Sequence, residues 1–486
     1  MKDLKQLRKG KGLTQAEVAS RLGISQQAYS KYEQMRAVPG DDMLNKLYSI
    51  LLDGNPSAEH LSKGLSKDAS IEEFLDSSLT AYQAVLNAKN MLLELGFRPV
   101  NDKEPVFEKG GKYFVTKNSS TIIAFKIGDL SHYGFNIAGS HTDSPCFRVK
   151  GNLLLDSPEG KRFNVEKYGG MLMYSFLDIP LKLAGRVLVK TPSGINEKIV
   201  ESDRLFNIPS LCIHHNPTAN DGFSPSVQND MCPLVGEGED VYSFVSNEQV
   251  LDGDLFVVPA VKAYNSGDLL CSPRIDNLTS AYASIKALAD CKPKGVAIAA
   301  CFDNEEIGSD TKQGAASELL ASVLRMINRG LGYSEADFEF ARKDSFILSI
   351  DNGHAVHPAH PEKSDPLNRV YLGGGVVIKH HTNYATDGLS SAIVKAILDK
   401  ANVRYQDYYN HSDVRCGGTI GLITSNNLAI NACDIGLAQL AMHSAIETVN
   451  KADISEMESC VRAFFDTAIV QGGDGIQFDE NAFVLL

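Results

Sequence analysis

Val296-Ala297-Ile298-Ala299-Ala300-Cys301-Phe302 runs directly into Asp303-Asn304-Glu305-Glu306-Ile307-Gly308-Ser309. The first seven residues form the most apolar strand-like run in the chain and suit a strand covered on both faces. Related runs recur at 113–116, 121–127, 135–139 and 346–350. Helical patterns accompany them at 71–95, 279–289, 315–328 and 390–401, the first reading as one long amphipathic helix that ends at Gly96. Strands alternating with helices predict an α/β unit, with a central mostly parallel sheet and flanking helices. Residues 152–262 break this rhythm. They carry β-rich segments at 186–190 and 198–200 around a Pro/Gly/Asn-rich loop at 216–240, and read as an insertion. The α/β unit is therefore expected to span 71–151 and 263–486.

Acidic residues and histidines gather where strands are expected to end, which is where open α/β sheets collect ligands. Besides Glu305 and Glu306, they are His141 and Asp143 in Gly139-Ser140-His141-Thr142-Asp143-Ser144-Pro145, and Asp276 in Ser272-Pro273-Arg274-Ile275-Asp276-Asn277. Asp351 and His354 follow in Asp351-Asn352-Gly353-His354-Ala355-Val356-His357-Pro358, and His443 in Ala441-Met442-His443-Ser444. Each has an ordinary alternative: a packed core histidine, a charge at a helix N-terminus, or a helix cap. Together, two histidines and three carboxylates can hold two divalent cations with one carboxylate shared. Nitrogen and oxygen donors without thiolate suit zinc, manganese or cobalt. A His two residues before an Asp lets the carboxylate accept the second ring N–H. There is no G-x-S-x-G elbow, P-loop, G-x-G-x-x-G or H-E-x-x-H.

The 486 residues suggest about three structural units. With 43% hydrophobic and 22% charged residues, the chain reads as globular, without a membrane-length apolar run. The nine cysteines are scattered without a C-x-x-C, and no apolar signal segment opens the chain, so the expected compartment is the cytoplasm. Residues 1–55 carry a net charge of +3 against −13 overall, a basic head on an acidic body.

In that head, Leu4, Leu7, Val18, Ala19, Leu22, Ile24, Tyr29, Leu44, Leu47 and Ile50 recur at helical spacing. Thr14-Gln15-Ala16-Glu17 fits a capping box, Gly23 a tight turn and Ser25 a second cap. Residues 56–70 read as a linker. Leu13-Thr14-Gln15-Ala16-Glu17-Val18-Ala19, Gly23-Ile24-Ser25 and Tyr32-Glu33 resemble the Cro/repressor-type helix-turn-helix. The resemblance implies duplex DNA as a partner, with Gln26, Gln27, Ser30 and Lys31 facing the major groove.

The five site motifs, in this order, closely resemble those of the aspartyl aminopeptidases, a dinuclear metallopeptidase family. Gly111-Lys112-Tyr113-Phe114-Val115 and Tyr168-Gly169-Gly170 extend the match, which runs from about Ile71 to the C-terminus. The resemblance implies two divalent metal ions per chain, zinc foremost. Asp276 would bridge them, His141 and Asp351 completing one site, Glu306 and His443 the other. Glu305 would be the general base, with Asp143 supporting His141. Lys379 and His354 would bind substrate, and His214 would reach a neighbouring subunit's site. The implied activity releases N-terminal Asp or Glu from peptides. The implied assembly is a homo-oligomer, a dodecamer built from dimers through the 152–262 insertion. Two other readings fit the motifs: a related dinuclear carboxypeptidase or deacylase, and a transcription regulator whose peptidase domain is a sensor.

Overall fold

The computed structural model describes residues 8, 13–33, 64–100, 105–192, 194–471, 476–479 and 482–485. The chain divides into two compact units, residues 1–64 and 65–486.

In the first unit, the Thr14 hydroxyl accepts the Glu17 amide and the Glu17 carboxylate accepts the Thr14 amide, starting helix Gln15–Leu22. Gly23, at φ 70°, closes that helix. The Ser25 hydroxyl then accepts the Ala28 amide at 3.2 Å as helix Gln26–Glu33 begins. Val18, Ala19, Leu22 and Tyr29 form the core between the two helices. Leu4, Leu7, Leu44, Leu47 and Ile50 lie outside the described residues.

The second unit is built on a nine-stranded sheet. Its order is Arg98–Pro99, Lys112–Lys117, Thr121–Ile127, Val296–Phe302, Phe135–His141, Phe346–Ile350, Asn431–Gly436, Val376–His380 and Tyr405–Tyr409. The four strands from Val296–Phe302 to Asn431–Gly436 run parallel. Thr121–Ile127 pairs antiparallel with both neighbours, and Val376–His380 pairs antiparallel with Asn431–Gly436. The sheet is therefore mixed, parallel at its centre. Along Val296–Phe302, Ala297, Ala299 and Cys301 enter the apolar layer on one face. Val296, Ile298, Ala300 and Phe302 enter the layer on the other. Burial on both faces is why the sequence shows no polar alternation there.

A six-stranded antiparallel sheet interrupts this unit. Its order is Gly194–Phe206, Leu181–Thr191, Val250–Pro259, Cys146–Ser157, Gly160–Tyr168 and Leu234–Gly236. Its first strand begins at Cys146, so it crosses the 151/152 boundary expected from sequence. A five-stranded sheet, Tyr264–Ser266, Leu269–Ser272, Glu447–Asn450, Ala438–Leu440 and Gly353–His354, lies in the stretch that carries the last site motifs.

Three local expectations need correction. The helix expected over 71–95 is two helices, Ile71–Ser77 and Ala81–Glu94. Thr80 caps the second by accepting the Tyr82 amide, so Ser78-Leu79-Thr80 acts as punctuation rather than helix. The linker end packs against the second unit: Leu65 touches its core and Tyr282 donates to the Ala69 carbonyl at 2.9 Å. The helix expected from 315 begins at Leu319, after a run of turns.

Candidate active site

The residues singled out at the strand ends converge. His141 ends its strand, Glu305 and Glu306 form a 3-10 turn after Phe302, and Asp351 follows Ile350. Asp276 stands in the first turn of helix Ile275–Asp290, and His443 in the loop after Ala438–Leu440. His141 Nε2 lies 3.6 Å from Asp276 Oδ1, 3.7 Å from Asp351 Oδ1 and 4.0 Å from Glu305 Oε2. His443 Nε2 lies 3.4 Å from Asp276 Oδ2 and 3.3 Å from Glu306 Oε1. Asp276 thus joins two triads, His141/Asp276/Asp351 and Asp276/Glu306/His443, each with donor atoms within 4.8 Å of one another.

The second ring nitrogens fix the tautomers. His141 Nδ1 lies 3.0 Å from the Asp143 carbonyl and His443 Nδ1 lies 2.7 Å from the Gly170 carbonyl. A carbonyl only accepts, so both Nδ1 atoms carry the proton and both Nε2 atoms face the carboxylates. Asp143 stands beside His141 through two atoms, its backbone carbonyl at 3.0 Å and its carboxylate at 3.4 Å from Nδ1. The carboxylate also accepts the backbone amides of Glu305 at 3.1 Å and Glu306 at 3.2 Å, and the Tyr168 hydroxyl at 2.7 Å.

Glu447, which the sequence reading missed, has the matching role on the other side. It accepts the Asp276 amide at 2.9 Å and the His443 amide at 2.7 Å. Its one signal is an acid within an otherwise apolar, β-branched stretch, Ala445-Ile446-Glu447-Thr448-Val449. Burial pushes its carboxyl up to about 8.

The cluster fits divalent cations. Asp276 Oδ1 and Glu306 Oε1 are buried without a hydrogen-bond partner, and the donors are imidazole nitrogen and carboxylate oxygen. Burial raises Glu305 well above the usual carboxylate range; His141 opposes this, while Asp351 and Glu306 reinforce it. So many buried acids are costly unless a cation neutralises them.

Lys379, which a surface reading would place in solvent, is 2% exposed. Its Nζ donates to the Asp351 and Asn352 carbonyls at 3.0 and 3.1 Å and stands 3.7 Å from Asp351 Oδ2. Although His354 is exposed, the protein atoms packed around its ring, followed by the charge of Lys379, lower the imidazole below its ordinary value. His354 lies on the short strand Gly353–His354 and stays outside both triads. His214 is exposed in the loop after Gly194–Phe206, and likewise stays outside them. In the first unit, Gln26, Gln27 and Lys31 are exposed and Ser30 half-buried on helix Gln26–Glu33, whose Tyr29 faces the core.

Two imidazoles and a shared carboxylate, gathered with Glu305 and Asp351 at the end of a sheet's parallel centre, define a metal-dependent hydrolase. The model of the aminopeptidase I zinc metalloprotease (M18) family matches residues 74–465, and a helix-turn-helix model matches residues 4–51. The chain belongs to the M18 family and is a metallo-aminopeptidase. It is 36% identical over 420 residues to a probable M18 family aminopeptidase 2 of Clostridium acetobutylicum, covering 81% of this chain and 97% of that one. It is 30% identical to a probable aspartyl aminopeptidase of Ricinus communis, covering 83% and 96%. Among solved structures, an M18 aminopeptidase of Thermotoga maritima matches with a TM-score of 0.71 and 26% identity, over 81% and 94% of the two chains. The S. cerevisiae mApe1 dodecamer matches with a TM-score of 0.71 and 25% identity, over 81% and 95%. Among the described residues, no helix is long and apolar enough to cross a membrane.

Proposed function

We propose that the chain is a two-metal aminopeptidase that removes Asp or Glu from peptide N-termini. The observation that carries this is Asp276, set between two imidazoles and shared by both triads. His141 and Asp351 would hold one ion, Glu306 and His443 the other, with Asp276 bridging. Two bound ions, zinc foremost, would polarise the scissile carbonyl and acidify the attacking water.

Glu305 belongs to neither ligand pair. Its oxygen 4.0 Å from His141 Nε2 lies beside the cluster, and its raised carboxyl suits a group that takes a proton from water and returns it to the leaving amine. Asp143 holds the amides of Glu305 and Glu306, which fixes where both side chains start. Among the described residues, Lys379 supplies the one buried ammonium beside the cluster, and it favours an acidic substrate side chain over a neutral one. The name of the Ricinus communis relative agrees with that preference.

In the rest of this reading, residues 1–55 bind duplex DNA through the exposed Gln26, Gln27 and Lys31 with Ser30 beside them. The inserted sheet pairs subunits within a larger closed assembly, and the exposed His214 reaches a neighbouring site. The mApe1 dodecamer supports the assembly by likeness. Nine free cysteines suit a reducing cytoplasm.

The test is Glu305→Gln. Expected is a loss of at least about 100-fold in kcat with the metal content of the parent protein. Near-normal turnover would remove Glu305 from the role of base. Asp276→Ala should instead lose both ions, read by elemental analysis.

A further inference from the structure

The inserted sheet reaches the catalytic cluster through three consecutive residues at the end of strand Gly160–Tyr168. The Tyr168 hydroxyl donates to Asp143 Oδ2 at 2.7 Å and accepts from Asn304 Nδ2 at 2.9 Å. Gly169, at φ 77°, lies so close to Glu306 that an added Cβ would meet Glu306 Cβ at 3.2 Å. The Gly170 carbonyl accepts a hydrogen bond from His443 Nδ1 at 2.7 Å. One strand end from the insertion therefore bears on the residues around the base and on both members of one ligand pair.

Tyr168 does more than fill space. Asp143 uses both carboxylate oxygens on the amides of Glu305 and Glu306, and the phenol is the nearest side-chain donor to that carboxylate. Asn304 immediately precedes Glu305 and has left-handed backbone, φ 64°. Its side-chain oxygen accepts from Thr311 Oγ1 and Gln313 Nε2, both at 2.8 Å, so its amide is held on one side by the catalytic unit and on the other by Tyr168. The phenol thus bonds the anion that grips the Glu305–Glu306 turn and the residue that starts it. The ring itself packs edge-on against Phe256 of the inserted sheet, with centroids 5.5 Å apart.

We propose that Tyr168 is a positioning residue of the aminopeptidase reaction, through whose hydroxyl the inserted sheet sets the turn that presents Glu305. The inference rests on Glu305 being the base. A hydroxyl that acts through the placement of a base should affect the chemical step and leave substrate binding and metal loading intact.

The experiment measures Tyr168→Phe, Phe256→Leu and Glu305→Gln side by side in the full-length protein, for kcat, KM, metal content and melting temperature. Expected for Tyr168→Phe is a fall of about tenfold in kcat with KM within about twofold, the size of effect that one hydrogen bond to a charged group carries. Metal content and melting temperature should match the parent. Phe256→Leu removes ring packing but not the hydroxyl, and should keep the parent kcat. An unchanged kcat in Tyr168→Phe overturns the inference, as does a loss that follows metal content or melting temperature. An equal kcat loss in Phe256→Leu overturns it too, because packing would then be the cause. Turnover surviving in Glu305→Gln would instead refute the underlying reading, whatever Tyr168→Phe does.

Discussion

Lys379→Met keeps the length and apolar stem of the side chain and removes its charge and three N–H donors. Two of those donors serve the Asp351 and Asn352 carbonyls at 3.0 and 3.1 Å, in a pocket where the side chain is 2% exposed. Leaving both acceptors unpaired should cost about 3–6 kcal/mol of stability, since hydrogen bonds from charged donors are worth about 1.5–3 kcal/mol each and water cannot easily enter to replace them. The catalytic effect is separate. The ammonium stands beside the Asp351 carboxylate, and an acidic substrate side chain that enters without it is desolvated and unpaired, at about 3 kcal/mol. That is about a 100-fold loss. The assay is kcat/KM on chromogenic Asp-, Glu- and Leu-linked substrates, with melting measured on the same preparation. The Asp-to-Leu ratio should fall by about 100-fold. A loss shared equally by all three substrates would show that Lys379 only braces Asp351, and would refute its part in specificity. Lys379→Arg should not restore the ratio, because a closed pocket shaped for an ammonium does not take a planar guanidinium.

Glu447→Gln turns one carboxylate oxygen into an NH2 facing a backbone N–H; it should destabilise the fold by about 2 kcal/mol and hasten metal loss to chelator, with the Asp-to-Leu ratio unchanged. In the first unit, burial opposes ionisation of Glu33, but hydrogen bonds from Arg8 at 2.6 Å and Gln15 at 2.7 Å hold its carboxyl below the ordinary 4.5. Its contribution is therefore whole above pH 4.5 and is lost as pH falls through the lowered value. Amide exchange across residues 15–33 should speed up in that window, and Glu33→Gln should flatten the pH dependence; an unchanged acid profile in the variant would refute this. Replacing Gln26 and Gln27 by Ala should weaken sequence preference in gel retardation and leave peptidase rates at parent values. Retardation identical for both proteins on every duplex would remove these residues from base reading.

What could be read in advance depended on how local its cause was. Val296–Phe302 was legible because burial on both faces writes an unbroken apolar run. The ligand-bearing segments were legible because His141, Glu305, Glu306 and Asp351 stand at or within a few residues of strand ends, where sequence order and spatial position coincide. Glu447 was missed because its partner Asp276 lies 171 residues away and a single acid in an apolar stretch is a weak signal. Lys379 resembled a solvated strand end for the same reason: the carbonyls that receive it belong to another strand's exit. The helix break at Ser78-Leu79-Thr80 had a local signal in its Ser/Thr content, but the surrounding apolar periodicity concealed it. The mixed sheet could not be foreseen either. A strand buried on both faces looks the same whether its neighbours run with it or against it.

The two buried carboxylates show why the cluster needs support from outside its ligands. Its donors come from five separate segments, and their side chains repel one another until cations arrive. Side-chain bonds among the ligands cannot hold such a site, because those atoms must stay free for the ions. Asp143 and Glu447 solve this through the backbone, each taking two amides of the residues that carry the cluster. Both acids are themselves buried, so each needs donors beyond the amides it grips: Glu447 draws on Gln439 within its own sheet, and Asp143 draws on Tyr168 from the inserted one. The Glu305–Glu306 turn is therefore tied to the insertion through Asp143 and Tyr168. A change in how the inserted sheet sits should act on Glu305 through Asp143 and on Glu306 and His443 directly, so that kcat and the retention of metal fall together. Loss of the Tyr168 hydroxyl alone should touch kcat.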